Sequence, residues 1–268
     1  MKLLSYFVFF LTTTCIHSIC YSQNCDNIKI LGVSTLYAAK PLPIIEERDV
    51  MWQRRLWREI DLKEAANQKL YFSKGKDKSD CSLYDVLYAN LMNGALKAYD
   101  AIDAQFSKEL TVAQIINSVG DSIVDENGSL VYQNLESRSV VKYWLKEDWF
   151  FDSKYSKVEV RIIGVCPVKI TLDKNGNVLG YKQLFWLYFR NIRNVLANIE
   201  VLKKRNTDED RVSFDDVFIK RLFDSYIIQK EGGEKQHVNN HKSELDIKLE
   251  NEKTKQYSFK RETGFWGN

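Results

Sequence analysis

The sequence predicts an α+β fold: a mainly helical amino-terminal half packed with a carboxy-terminal antiparallel β-meander and a covering helix. Three observations carry this reading. Apolar residues recur at helix-compatible spacing through the first half, where Ser82 with Asp85 and Thr111 with Gln114 supply helix-start signals. Beyond about Ser129 the hydrophobic period becomes two. Asp173-Lys174-Asn175-Gly176-Asn177 then separates two apolar runs, and Asn-Gly supplies the positive φ angles of a tight hairpin turn.

Residues 1–22 read as a secretory signal peptide: Lys2, a mostly apolar stretch from Leu3 to Ile16, and small residues before Gln23. Neither Cys15 nor Cys20 has the preceding apolar residue of a lipoprotein signal. Residues 23–230 are expected to form the folded unit, opening on an extended lead-in where Pro41 and Pro43 block helix. Trp52, Leu56 and Ile60 recur every four residues with Arg54, Arg55 and Arg58 between them, which predicts an amphipathic helix over 46–67. Leu70-Tyr71-Phe72 reads as a short strand before a polar loop, residues 73–80. Helices start after Ser82 and Thr111, with a short strand at Ala98–Ala101 between them.

In the second half, Val140–Asp152 alternates Val141, Tyr143, Leu145, Trp149 and Phe151 against Lys142, Lys146, Asp148 and Asp152, so one face is expected to meet solvent. Val158–Ile170 and Tyr181–Phe189 follow as strands, the latter apolar on both faces. Ser213 with Asp216 opens a last helix, whose Phe214, Val217, Phe218 and Leu222 are expected to pack on the sheet. Residues 231–268 are charged and polar, apart from Gly264-Phe265-Trp266-Gly267, and their composition predicts a largely disordered tail.

Composition narrows the chemistry. The net charge of +3 is too small for a nucleic-acid binder driven by phosphate contacts. His237 and His241 are the only histidines beyond the signal segment, which removes most Ser-His and Cys-His nucleophile arrangements; no third ligand beside them suggests a zinc site. Asp173, Asn175 and Asn177 imitate a calcium loop, but Val178 and Leu184 stand where that loop needs glycine and glutamate. Glu147-Asp148 and Asp215-Asp216 could supply paired carboxylates. Adjacent acids on a strand face opposite ways, however, and Asp216 is explained as a cap. Gly-rich phosphate loops are absent, so no catalytic, cofactor or metal site is assigned. Of the cysteines outside the signal segment, Cys25 and Cys81 are the better disulfide pair in an oxidising compartment, and Cys166 reads as an inert buried thiol.

Several motifs occur together: Arg48-Asp49-Val50-Met51-Trp52-Gln53-Arg54-Arg55-Leu56-Trp57-Arg58-Glu59-Ile60-Asp61-Leu62, Lys146–Asp152, Val160–Val165, Leu184–Phe189, Val195-Leu196-Ala197-Asn198, and Ser213–Arg221. In this order they resemble the gliding motility protein family GldN, called PorN in non-gliding relatives, over residues 44–230. Arg190 departs from the proline usual after the aromatic strand. The resemblance implies a non-enzymatic periplasmic component of the type IX secretion system of Bacteroidetes. It implies a ring formed with a GldK/PorK-like outer-membrane lipoprotein, coupled to the GldL–GldM motor, with a GldM/PorM-like shaft as a further partner. The lipoprotein would hold the chain at the inner face of the outer membrane. Partner-binding residues are expected on the first helix (Trp52, Arg55, Trp57, Arg58) and on the second sheet face (Trp144, Phe150). A secreted carboxylate-dependent hydrolase and an exported monomeric binding module are the alternatives.

Overall fold

The computed structural model describes residues 37–71, 81–103, 105–124, 130–133, 137–173, 177–203 and 211–230. The signal segment, Cys25, both tail histidines and the Phe265-Trp266 segment lie outside them. In chain order the elements are β1 (Val50–Asp61), α1 (Gln68–Tyr71), α2 (Leu83–Met92), β2 (Ala98–Tyr99), α3 (Val112–Val119), β3 (Asp121–Val124) and β4 (Leu130–Gln133). There follow β5 (Val140–Asp152), β6 (Lys157–Leu172), β7 (Val178–Gln183), β8 (Trp186–Tyr188), α4 (Phe189–Ala197), β9 (Glu200–Lys203), β10 (Arg211–Ser213), α5 (Phe214–Ile219) and β11 (Tyr226–Lys230).

The fold is α+β, organised by one antiparallel sheet in the order β11-β1-β5-β6-β8-β2, with β7 also paired to β6. The long hairpin β5–β6 is its centre. β1 adds along the whole of β5, from Val50 opposite Asp152 to Asp61 opposite Lys142. The predicted helix over 46–67 is therefore a strand. Spacing of four fits both a helix and a strand period of two, and two neighbouring strands to pair with decide between them. Leu70 and Tyr71 are corrected in the opposite direction, to the short helix α1.

The three predicted capping boxes form as read: Ser82, Thr111 and Ser213 each accept from the third-position amide, and Asp85, Gln114 and Asp216 return the contact. Such caps contribute about 1 kcal/mol each through donors the helix leaves orphaned. The predicted strand over Tyr181–Phe189 breaks in the middle. Leu184 and Phe185, both buried, form the link between β7 and β8, where the Leu184 amide donates to the Pro167 carbonyl at 3.0 Å. Phe189 then opens α4. Leu222 is 39% exposed, and Phe223 packs in its place. β11, which the sequence reading lacks, forms the sheet edge.

α2, α4 and α5 cover one face of the sheet. Ile60, Tyr143, Leu145, Val165 and Leu187 meet Leu87, Phe189, Leu196, Phe214 and Phe218 there in one apolar cluster. A buried bidentate pair, Arg193 to Asp215 at 2.8 and 2.9 Å, ties α4 to α5. No helix among the described residues is long and apolar enough to cross a membrane.

Candidate interaction surface

Antiparallel register assigns each side chain to a face, because directly paired residues share one. Gln53, Arg55, Trp57 and Glu59 of β1 lie opposite Phe150, Asp148, Lys146 and Trp144 of β5, on the face away from the helical layer. This outer face, expected to be solvated on β5, is instead largely covered: Lys142, Lys146, Asp148 and Asp152 are all buried. Cross-strand pairing engages Lys142 and Asp148, an aromatic ring from the loop after β2 lies over Lys146, and Asp152 accepts from the Tyr155 amide at 3.2 Å. Arg55 grips Asp148 through two bonds of 2.6 and 2.7 Å. Glu59 accepts from Lys142 Nζ at 2.6 Å, Trp144 Nε1 at 2.7 Å and the Tyr226 hydroxyl. Burial together with the Glu59 charge raises the Tyr226 phenol well above its usual range. Arg161 stacks over Phe150, centroid distance 6.0 Å, and donates to the Pro43 carbonyl.

Midway along this face the loop between β2 and α3 folds down. Asp103 holds it shut, accepting from the amides of Gln105, Ser107 and Lys108, and these bonds lower its pKa to about 2. The loop delivers Phe106 at φ 56°, with its ring edge-on to Tyr99, Trp186 and Tyr188. Gly164 makes room for it, since a Cβ there would lie 2.6 Å from Phe106 Cζ. The Lys146 ammonium sits beneath, 4.9 Å from the Phe106 ring centroid and 5.9 Å from that of Trp57. Such contacts set the ammonium against the electron-rich faces of the two rings.

Beside this plug opens a groove of about 670 Å³. Trp57, Trp144, Trp186 and Tyr181 line it from the sheet, Ile102 from the loop, and Gln229 from β11. The Trp144 and Trp186 indole N–H groups are used internally, by Glu59 and the Ala101 carbonyl, so these rings offer mainly apolar surface. α3 forms the far wall. Its last carbonyls, Ser118 and Val119, accept from Lys182 and Lys169, a favourable use of cations at a helix carboxyl end. An apolar aromatic floor with amide and lysine groups at the rim suits a peptide or protein segment.

The opposite face carries a buried charge cluster. Glu147, with no exposed surface, accepts from Arg221 Nη1 at 2.8 Å and from Trp149 Nε1 at 2.9 Å. Arg58 donates to the Ser225 hydroxyl and carbonyl at 2.9 and 2.6 Å. Burial lowers its pKa to about 10, which nearby Glu147 opposes and Arg221 reinforces. Arg221 adopts φ 50° at the end of α5, a left-handed position disfavoured for any residue with a Cβ, and there closes the helix: its amide donates to the Phe218 carbonyl and that of Leu222 to the Val217 carbonyl.

Of the sequence-predicted partner residues, Arg55, Trp57, Trp144 and Phe150 share the outer face, and Trp57 with Trp144 lines the groove. Trp52, paired to Phe151, and Arg58, paired to Leu145, lie on the other face, so the six are not one surface. Sequence reasoning missed Trp186, Tyr181, Ile102 and Gln229, which four separate segments bring together. It also missed Glu59, the hub of the outer-face network. The suspected carboxylate pairs are separated, as the strand geometry requires: Glu147 meets Arg221, Asp148 meets Arg55, and Asp215 meets Arg193, while Asp216 caps α5. Asp173 accepts from Asn177 N at 2.8 Å and closes the β6–β7 hairpin. Among the described residues no group of three or more His, Cys, Asp and Glu side chains is placed to hold a metal. Cys166 is buried on β6, and burial pushes its thiol up to about 12. Cys81 is buried beside α2.

A family model described as gliding motility associated protein GldN matches residues 45–267. No curated protein matches the chain.

Proposed function

Since the chain belongs to the GldN family of gliding motility associated proteins, we propose that it is a non-enzymatic subunit of the type IX secretion and gliding machinery. In this reading it is exported to the periplasm and assembles with a GldK/PorK-like outer-membrane lipoprotein into a ring. The ring couples the GldL–GldM motor to transport, with a GldM/PorM-like shaft as a further contact.

The observation that carries the reading beyond the family is the outer sheet face. Arg55 with Asp148 and Lys142 with Glu59 neutralise each other across its strands, and its tryptophans open onto a groove, the chemistry of a protein-binding surface. A ring protomer needs two different surfaces that repeat around the circle. A second one is available at the β6–β7 hairpin, where Leu172, Val178 and Leu179 are 49%, 54% and 69% exposed. The carboxylates that a hydrolase would use are instead tied into ion pairs and a helix cap, which favours a scaffold over the hydrolase reading. Co-expression with the lipoprotein partner, followed by native mass measurement and negative-stain imaging, tests the proposal. Closed rings containing both chains are expected; a chain that stays monomeric beside its lipoprotein would overturn it.

A further inference from the structure

The described chain leaves the sheet at Lys230, one residue after Gln229, which lines the groove. The next 28 residues, 231–258, are charged and polar. Gly264-Phe265-Trp266-Gly267 then sets two large aromatic side chains between glycines, which let a backbone approach a surface closely. The family match runs on through this segment to residue 267. Thirty-four residues, 231–264, separate Lys230 from Phe265. Their extended reach of about 110 Å far exceeds what a return to the groove requires. Tethering of this kind raises the effective concentration to the order of millimolar, enough to populate a weak contact.

The groove fits such an occupant. Its floor is Trp57, Trp144, Trp186 and Tyr181, and Ile102 stands 93% exposed at its rim. The rim charges are already engaged: Asp100 pairs with Lys108 at 2.6 Å, and Lys182 donates to the Ser118 carbonyl. A neutral aromatic pair flanked by glycines matches this better than a charged peptide would. We propose that in the free chain the groove is occupied by the chain's own Gly264–Gly267 segment, with Phe265 and Trp266 against the groove tryptophans. This self-contact does not rest on the ring assembly, because it is a property of the isolated chain.

The test uses the full chain with the photoreactive p-benzoylphenylalanine replacing Phe265, irradiated at low concentration and mapped by mass spectrometry. Crosslinks should appear in the monomer band, on peptides containing Trp57, Trp144 or Tyr181. Ile102→Asp in the same chain should cut the yield about tenfold, as a charge in an apolar groove would, with the melting temperature unchanged. Crosslinks elsewhere, or none, would overturn the proposal. So would an undiminished yield with Ile102→Asp. Groove crosslinks confined to a dimer band would show that the segment reaches a second copy, which overturns the own-chain assignment.

Discussion

At the scale of single residues, two arginines three apart on β1 have opposite fates. Arg55 is partly exposed and paired with Asp148 on the outer face, whereas Arg58 is buried beside Glu147 and Ser225. The sequence reading treats them as one basic flank of a helix; a strand separates them. Arg58→Glu would place a second carboxylate against the buried Glu147, so stability should fall by about 3–5 kcal/mol. Arg55→Glu faces Asp148 nearer solvent and should cost about 1–2 kcal/mol. Urea unfolding of both variants decides the matter, and equal losses would contradict the assignment of faces. Cys166 gives a second test at this scale. Its folded pKa of about 12 lies above the ordinary 9.0, so the folded state holds the proton longer. The contribution is complete below pH 9 and is lost as pH rises toward 12. Iodoacetamide at pH 8 should therefore leave Cys166 unmodified in the native chain and label it fully in urea, as read by peptide mass.

At the scale of elements, what was legible follows from how local each signal is. Capping boxes span four residues and carry their own geometry, so Ser82, Thr111 and Ser213 read correctly. The ends of β5 also read correctly, because most of Val140–Asp152 keeps a period of two, with Trp144, Glu147 and Phe150 as the exceptions. β1 did not, since its spacing of four suits two periods, and only β5 and β11 resolve the ambiguity. The Phe106 loop was invisible for a different reason: its role depends on the empty space above Gly164, a residue 58 positions away. The loop supplies its own experiment. Asp103 accepts three amide bonds and its pKa is lowered to about 2. The stabilisation is thus present above the ordinary 3.8 and is lost as pH falls through about 2. Asp103→Asn should reproduce that loss at neutral pH. Amide exchange should rise at Gln105, Ser107 and Lys108, and Trp186 emission should shift as Phe106 loosens, while protection in β5 and β6 stays as it was. Unchanged exchange in the loop would show that Phe106 alone, held by its ring contacts, fixes the segment.

At the scale of the whole molecule, the sheet separates two kinds of surface. One face is consumed by the helical layer, and its buried ions, Glu147 with Arg221 and Arg58, link strands to the turn after α5. The other keeps a groove assembled from β1, β5, β7, β8, β11, α3 and one loop. Such long-range assembly explains why only Trp57 and Trp144 of its floor were named from the sequence: nothing local marks Tyr181 or Trp186 as their neighbours. The β6–β7 hairpin completes the picture as a projecting apolar edge. Leu172 pairs with Val178, and the register shift beside them leaves Leu179 out of step and 69% exposed. Residues this exposed contribute little to folding, so Val178→Glu with Leu179→Glu should change stability by no more than about 0.5 kcal/mol. Subunit contacts respond differently, because a carboxylate driven into an apolar contact is desolvated without a partner at every repeat of the ring. Co-expressed with the lipoprotein, the double variant should yield free or open complexes in negative stain while melting at the temperature of the parent chain. Closed rings from the double variant would exclude the hairpin as a subunit contact and leave the groove face to carry the assembly.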